Sequence, residues 1–201
     1  MNFKYTFSKQ TTLRINYRGR TIQPSMTDLY SKNDISDLLN IRLTNPNLKP
    51  SFNNNISATF NTYFTETLRS FNANFSYSNT INSTTRIVTY DENTGGRTTQ
   101  PTNVNGNWRI NGSLTFSTPL SNKKFTVNTY TNANYGNSVG FTVLNKESDA
   151  VKSNTTNLFL SERLKGNYRS DLIDFELSAE IRYQKSEHSI KKENRRETFD
   201  Y

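Results

Sequence analysis

Few side chains in this sequence could do chemistry, and their spacing is the first constraint. His188 is the single histidine, set in the polar stretch Ser186-Glu187-His188-Ser189, and the chain has no cysteine. A metal centre needs several convergent nitrogen, sulfur or carboxylate ligands. His188 alone cannot supply them, so no cofactor is expected, and thiol chemistry is excluded. Asp174, Glu176 and Glu180 share one parity of an alternating run. Two such carboxylates could work as a general acid and base. Arg163, Lys165 and Arg182 offer counter-charges, so the carboxylates read as a solvated wall. No Ser-His-Asp spacing, phosphate loop or dinucleotide turn occurs. The residues therefore predict a protein that is not an enzyme.

The elements that must carry these residues are long ribbons. The clearest spans residues 103–124. Val104, Gly106, Trp108, Ile110, Gly112, Leu114 and Phe116 fall on one parity. Asn105, Asn107, Arg109, Asn111, Ser113, Thr115 and Ser117 fall on the other. A period of two is a β-strand with one apolar and one polar face. The run exceeds the usual strand of about 5–6 residues. Two-faced strands of that length suit a wall between hydrocarbon and water, as in a transmembrane β-barrel.

Composition agrees with such a wall. Hydrophobic residues make up only 32%, which alone suggests a very polar or disordered chain. Aromatics reach 12%, with 11 Tyr and 13 Phe, and disordered chains lack these. A barrel reconciles the two, because half of each strand faces water and rings gather at the membrane interfaces. The net charge of +8 could indicate nucleic acid. The basic residues are interspersed with acids, however, and no aromatic-basic RNA motif is present, so nucleic acid is not expected. Arg14 and Arg18 lie within a strand pattern, and Lys191, Lys192, Arg195 and Arg196 stand near the end. All six are expected to line water or headgroups. No run approaches the roughly 20 apolar residues of a membrane helix. Residue Met1 leads straight into the strand pattern Phe3-Lys4-Tyr5-Thr6-Phe7, and the expectation is an internal piece of a longer protein.

Along the chain, alternation predicts strands around residues 3–7, 13–17, 53–64, 71–90, 103–116, 125–141, 158–168 and 173–183. Another begins near residue 197. Short turns are predicted at 8–10, 65–68, 119–124 and 169–171. A Gly-rich turn is predicted at 91–96. Longer connections fall at 21–50, 145–153 and 184–196, with a helical turn expected over 34–39. Outer-membrane barrels sort short turns to one end and long loops to the other. The fold class is therefore all-β: an antiparallel up-and-down meander of about eight or nine strands, part of a large transmembrane barrel, with residues 1–201 as one partial barrel domain. Trp108, Ile110, Leu114, Phe116, Ile173, Phe175 and Leu177 are expected to face lipid. Arg14, Arg18, Asn107, Arg109, Asn111, Asp174 and Glu176 are expected to face the lumen. Glu162 interrupts an apolar parity and is expected to mark a bulge or a position above the bilayer.

The segment Asn45-Pro46-Asn47-Leu48-Lys49-Pro50 resembles a signature of TonB-dependent outer-membrane receptors, in which Glu usually follows; here Ser51 stands in its place. With the hairpin that follows and Asn105-Gly106-Asn107-Trp108, nearly the whole chain is similar to the outer membrane protein β-barrel family common in Bacteroidota. The resemblance implies the cell outer membrane, a barrel of 22 strands around a plug, and coupling through TonB. It implies outer-membrane lipid, a plug domain, TonB and a surface lipoprotein as partners. Nutrient uptake would follow, with residues 21–49 meeting substrate and the Asn45–Pro50 segment serving as a strand entrance. Two other readings stay open: a soluble or surface-exposed β-sandwich serving adhesion, and a small complete barrel. The latter requires the first strand to pair with the last.

Overall fold

A computed structural model describes residues 1–30, 33–91, 93–120, 124–142, 150–190 and 195–201. In chain order the elements begin with β1 (Asn2–Ser8), β2 (Thr11–Ile22), the one-turn helix α1 (Met26–Leu29) and β3 (Asn40–Arg42). There follow β4 (Ser51–Phe64), β5 (Arg69–Ile81), β6 (Ser83–Tyr90), β7 (Arg97–Val104) and β8 (Asn107–Pro119). The chain continues through β9 (Phe125–Thr142), β10 (Val151–Arg169), β11 (Asp174–His188) and β12 (Arg196–Asp200). Nine of these form one antiparallel meander in the order β1-β2-β4-β5-β8-β9-β10-β11-β12. A second sheet of three strands, β3-β7-β6, is inserted at one end.

The alternating sequence dictates the large sheet, because antiparallel partners directly opposite one another share a face. Register runs without a slip through one row: Leu13, Phe60, Ala73, Leu114, Thr131, Glu162 and Ile181. One residue further along, the row Arg14, Thr59, Asn74, Ser113, Asn132, Ser161 and Arg182 occupies the opposite face. Two faces of opposite polarity thus extend over most of the sheet. The apolar one is uncovered: Leu114 is 45% exposed and Leu177 68%. A sandwich would bury that face beneath a second sheet. The small sheet instead packs β6 against β9. The buried hydrophobic residues of the described chain, Leu48, Val104 and Val139, belong to loop or strand segments at that end.

Connections sort by end. Strands β1, β4 and β10 finish at tight turns, as does β8 at Leu120, whose N–H donates to the Phe125 carbonyl at 2.8 Å. Residues 121–123 of that predicted turn lie outside the described residues. At the other end stand the small sheet, the described residues of 23–50, and the ends of β9 and β11 at Thr142 and His188. The predicted loops over 145–153 and 184–196 lie in part outside the described residues, as do Lys191, Lys192 and Glu92.

Three expectations and one open reading need correction. The strand expected over 71–90 breaks at Asn82, whose φ is +51°. The ribbon over 103–116 breaks at Gly106, φ +118°. Asn and Gly reach positive φ at little cost. The Asn82 N–H donates to the Asn105 side chain at 2.6 Å, locking the two breaks together. The helical turn lies at Met26–Leu29 rather than at 34–39. Ser25 caps it, accepting from the Asp28 N–H at 3.1 Å. At 34–39 the side chains of Asp34 and Asp37 accept from the N–H groups of Ser36 and Leu39. Such local bonds compete with helix. Finally, β1 and β12 occupy opposite edges of an open sheet, not the paired positions a small complete barrel requires.

Candidate functional site

The segment Asn45–Pro50 connects the outer loop to β4, and the Asn45 side chain and the N–H groups of Asn45, Asn47, Leu48 and Lys49 are committed to structure. The Asn45 N–H donates to the Asp28 carbonyl at 2.7 Å, and its side chain donates to the Pro101 carbonyl at 3.0 Å. The same side chain accepts from the Asn47 N–H at 3.0 Å, closing a turn. Leu48 is buried. The Lys49 N–H donates to the Asn103 side chain at 2.7 Å. Asn103 in turn donates to the carbonyls of Lys49 and Asn82 at 3.0 and 2.8 Å. Pro46 and Pro50 bracket the turn, where they have no N–H to lose from a ladder. Ser51, standing where the resembled signature has Glu, is buried and donates to the Asn82 carbonyl at 2.7 Å. This segment fastens the small sheet to the start of β4. Asn103→Ala removes three of these bonds and is expected to cost about 1–3 kcal/mol. Hydrogen exchange at Lys49 should rise while exchange in β8 and β9 stays slow.

The predicted wall residues that lie within strands sort onto the two faces. On β8, Trp108, Ile110, Leu114 and Phe116 share the apolar face. Phe175 and Leu177 of β11 join them through Tyr168 and Gly166. Ile173 lies in the turn before β11, where its carbonyl accepts from the Ser170 N–H at 2.8 Å. Tyr17, Tyr77 and Tyr135 fall in one cross-strand row, with Trp108 one step beyond, its ring 5.2 Å from that of Tyr135. Toward the short turns, Phe71 opposes Phe116, and the Phe125 ring lies 4.5 Å from that of Tyr168, tilted against it. Between these aromatic rows lies the Leu114 row. The 13 residues of β8 extend about 40 Å at ~3.4 Å each. Tilted by about 40°, they rise roughly 30 Å, the depth of a bilayer core.

Glu162 corrects a further expectation. It sits in the Leu114 row with unbroken register on both sides, so it marks neither a bulge nor a position beyond the aromatic rows. The Thr131 hydroxyl donates to its carboxylate.

On the polar face stand Arg14, Arg18, Asn107, Arg109 and Asn111. Asn111 donates to the Ser76 hydroxyl at 3.1 Å, and the Asn107 side chain accepts from the Val139 N–H at 2.6 Å. The carboxylates that could have formed an acid pair each face a cation. Asp174 meets Arg169 at 3.0 Å and Glu176 meets Lys165 at 2.8 Å. Glu180 is shared by Arg163 at 2.6 Å and Arg182 at 2.8 Å. His188 accepts from the Ile190 N–H at 3.3 Å. Among the described residues no three His, Cys, Asp or Glu side chains gather in a way that could hold a metal.

The periodicity missed the small sheet and the charged cavity it floors. There the Ser36 hydroxyl and N–H, with Arg42 adding charge, hold the Asp34 carboxyl below its ordinary range. The available signals were Asn82 and Asn105-Gly106, across which parity runs on as if in one strand.

An antiparallel meander with one polar face, one uncovered apolar face and loops sorted by end defines the wall of a membrane-spanning β-barrel. The chain belongs to the outer membrane protein beta-barrel family, whose sequence model matches residues 1–198. No curated protein matches it.

Proposed function

We propose that this chain forms part of the barrel wall of a TonB-dependent, receptor-like transporter for nutrient uptake. The observation that carries the reading is the continuous pair of faces, with the Asn45–Pro50 segment fixed at the start of a strand. In it, the face of Trp108, Leu114 and Leu177 meets outer-membrane lipid, and the face of Arg14, Arg109 and Asn111 borders a hydrated lumen. Strands β1 and β12 each have one unpaired edge. Unpaired backbone groups are costly in hydrocarbon, so further strands close the barrel. A plug fills the lumen, TonB supplies energy from the inner membrane, and a surface lipoprotein caps the outer end. The wall carries out no catalysis, holds no cofactor and binds no nucleic acid.

Uptake by cells carrying the full-length protein tests this reading. Loss of the protein and loss of TonB should each abolish accumulation of the same nutrient. Accumulation that continues without TonB would overturn it.

A further inference from the structure

The long-loop end holds a feature that a wall does not require. Strands β3, β6 and β7 floor a cavity of about 530 Å³. Helix α1 contributes Thr27 and Asp28 to its lining, and the turn before β3 contributes Asp34. Three arginines line it, one from each strand: Arg42, Arg86 and Arg97. Register places them on one face of the small sheet. Arg42 opposes Thr99, Arg86 opposes Pro101, and Arg97 lies on the same parity of β7 as Thr99 and Pro101.

The hydrogen-bonding capacity of the lining is unbalanced. The Asp28 carboxylate accepts from the Ser25 hydroxyl at 2.7 Å, and Asp34 accepts from the Ser36 hydroxyl at 2.6 Å. Arg97 donates through Nε to Asn40 at 2.7 Å, which orients its guanidinium and leaves the terminal nitrogens. Among the described residues neither Arg42 nor Arg86 makes an ion pair or side-chain hydrogen bond. Each guanidinium carries five donors in a planar fork that fits carboxylate or phosphate oxygens. The floor is also held in place, because Asn45 and Asn103 tie β7 to the strand entrance. Preorganisation of that kind lowers the ordering cost of binding. The volume falls in the range of small-molecule sites, about 300–1,000 Å³.

We propose that this cavity binds a small hydroxylated solute carrying one anionic group, a carboxylate or a phosphate, gripped by Arg42, Arg86 and Arg97. Asp28 and Asp34 keep spare acceptor positions for hydroxyl groups of the same solute, and their charge disfavours polyanions. The inference extends the uptake reading to a ligand class. Binding in detergent needs neither energy nor a lumen, so the two can fail separately.

The test is titration calorimetry on the full-length protein in detergent with glucose 6-phosphate, glucuronate and glucose. At least one of the two anionic sugars should bind saturably and at least tenfold more tightly than glucose. Which one binds more tightly assigns the group, and either result supports the site. Arg86→Gln should weaken that binding tenfold or more with the β-sheet circular dichroism unchanged. Arg86→Lys should weaken it less, and Arg14→Gln, on the large sheet, should leave it unaltered. If both anions bind no better than glucose, or Arg86→Gln and Arg42→Gln both match the parent, the proposal is wrong.

Discussion

Leu114→Arg is expected to destabilise the sheet in a phospholipid bilayer by about 2–4 kcal/mol, while Ser113→Arg costs under about 1 kcal/mol. The two residues are neighbours on β8 and differ in face alone. Leu114 lies between Ala73 and Thr131, one row inward of Phe116 and inside the two aromatic bands. A guanidinium there must reach headgroups past the Phe116 row or draw water inward. Ser113 lies between Asn74 and Asn132, among side chains that already hydrogen-bond to each other across the strands. An arginine added there stays hydrated. Trp108 is the single tryptophan, so its fluorescence reports unfolding in urea from lipid vesicles without labelling. Equal losses at both positions would mean that the polarity of the faces does not correspond to lipid and water.

Gly106→Val should produce an effect of comparable size, about 2–4 kcal/mol, from backbone strain and overpacking together, but confined to the outer end. Gly106 has φ +118°, and a Cβ there would stand 2.9 Å from a Val139 methyl. Its carbonyl accepts from the Asn137 side chain at 2.9 Å, beside the bond from Val139 to Asn107. The strain therefore falls where the small sheet rests on β9. Limited proteolysis should cut the β6–β7 hairpin faster in Gly106→Val than in the parent, while the Trp108-detected midpoint in lipid moves less. Gly95→Ala is the comparison: φ is +69° there with no atom within 4 Å of the added Cβ, so it carries backbone strain alone. Equal protection of the hairpin in all three proteins would rule out Gly106 as the junction.

The two predictions divide along the line between what alternation reveals and what it conceals. Period-two alternation is local, and it located the nine strands of the large sheet and most members of each face. Asn82 and Gly106 escaped it for a specific reason. Ile81 and Ile87 keep one parity across the first break, as do Val104 and Trp108 across the second. A strand that leaves one sheet and enters another without changing parity is invisible to periodicity. The parallel pairing of β3 with β7 joins Ile41 to Thr98, far apart in the chain, and three strand residues make too short a pattern to detect. Glu162 was visible as an anomaly, but only the uninterrupted register could set it at the depth of Leu114.

By itself, the order of side chains determined that this protein is a two-faced β ribbon, because each residue's side is decided by counting from its neighbour. Tertiary structure alone decided where the ribbon changes partner, what the Asn45–Pro50 segment holds, and that Arg42, Arg86 and Arg97 converge. Those outcomes depend on hydrogen bonds between segments distant in sequence, such as Asn103 to Lys49 and Asn82. No local pattern encodes a bond whose two ends lie twenty or more residues apart.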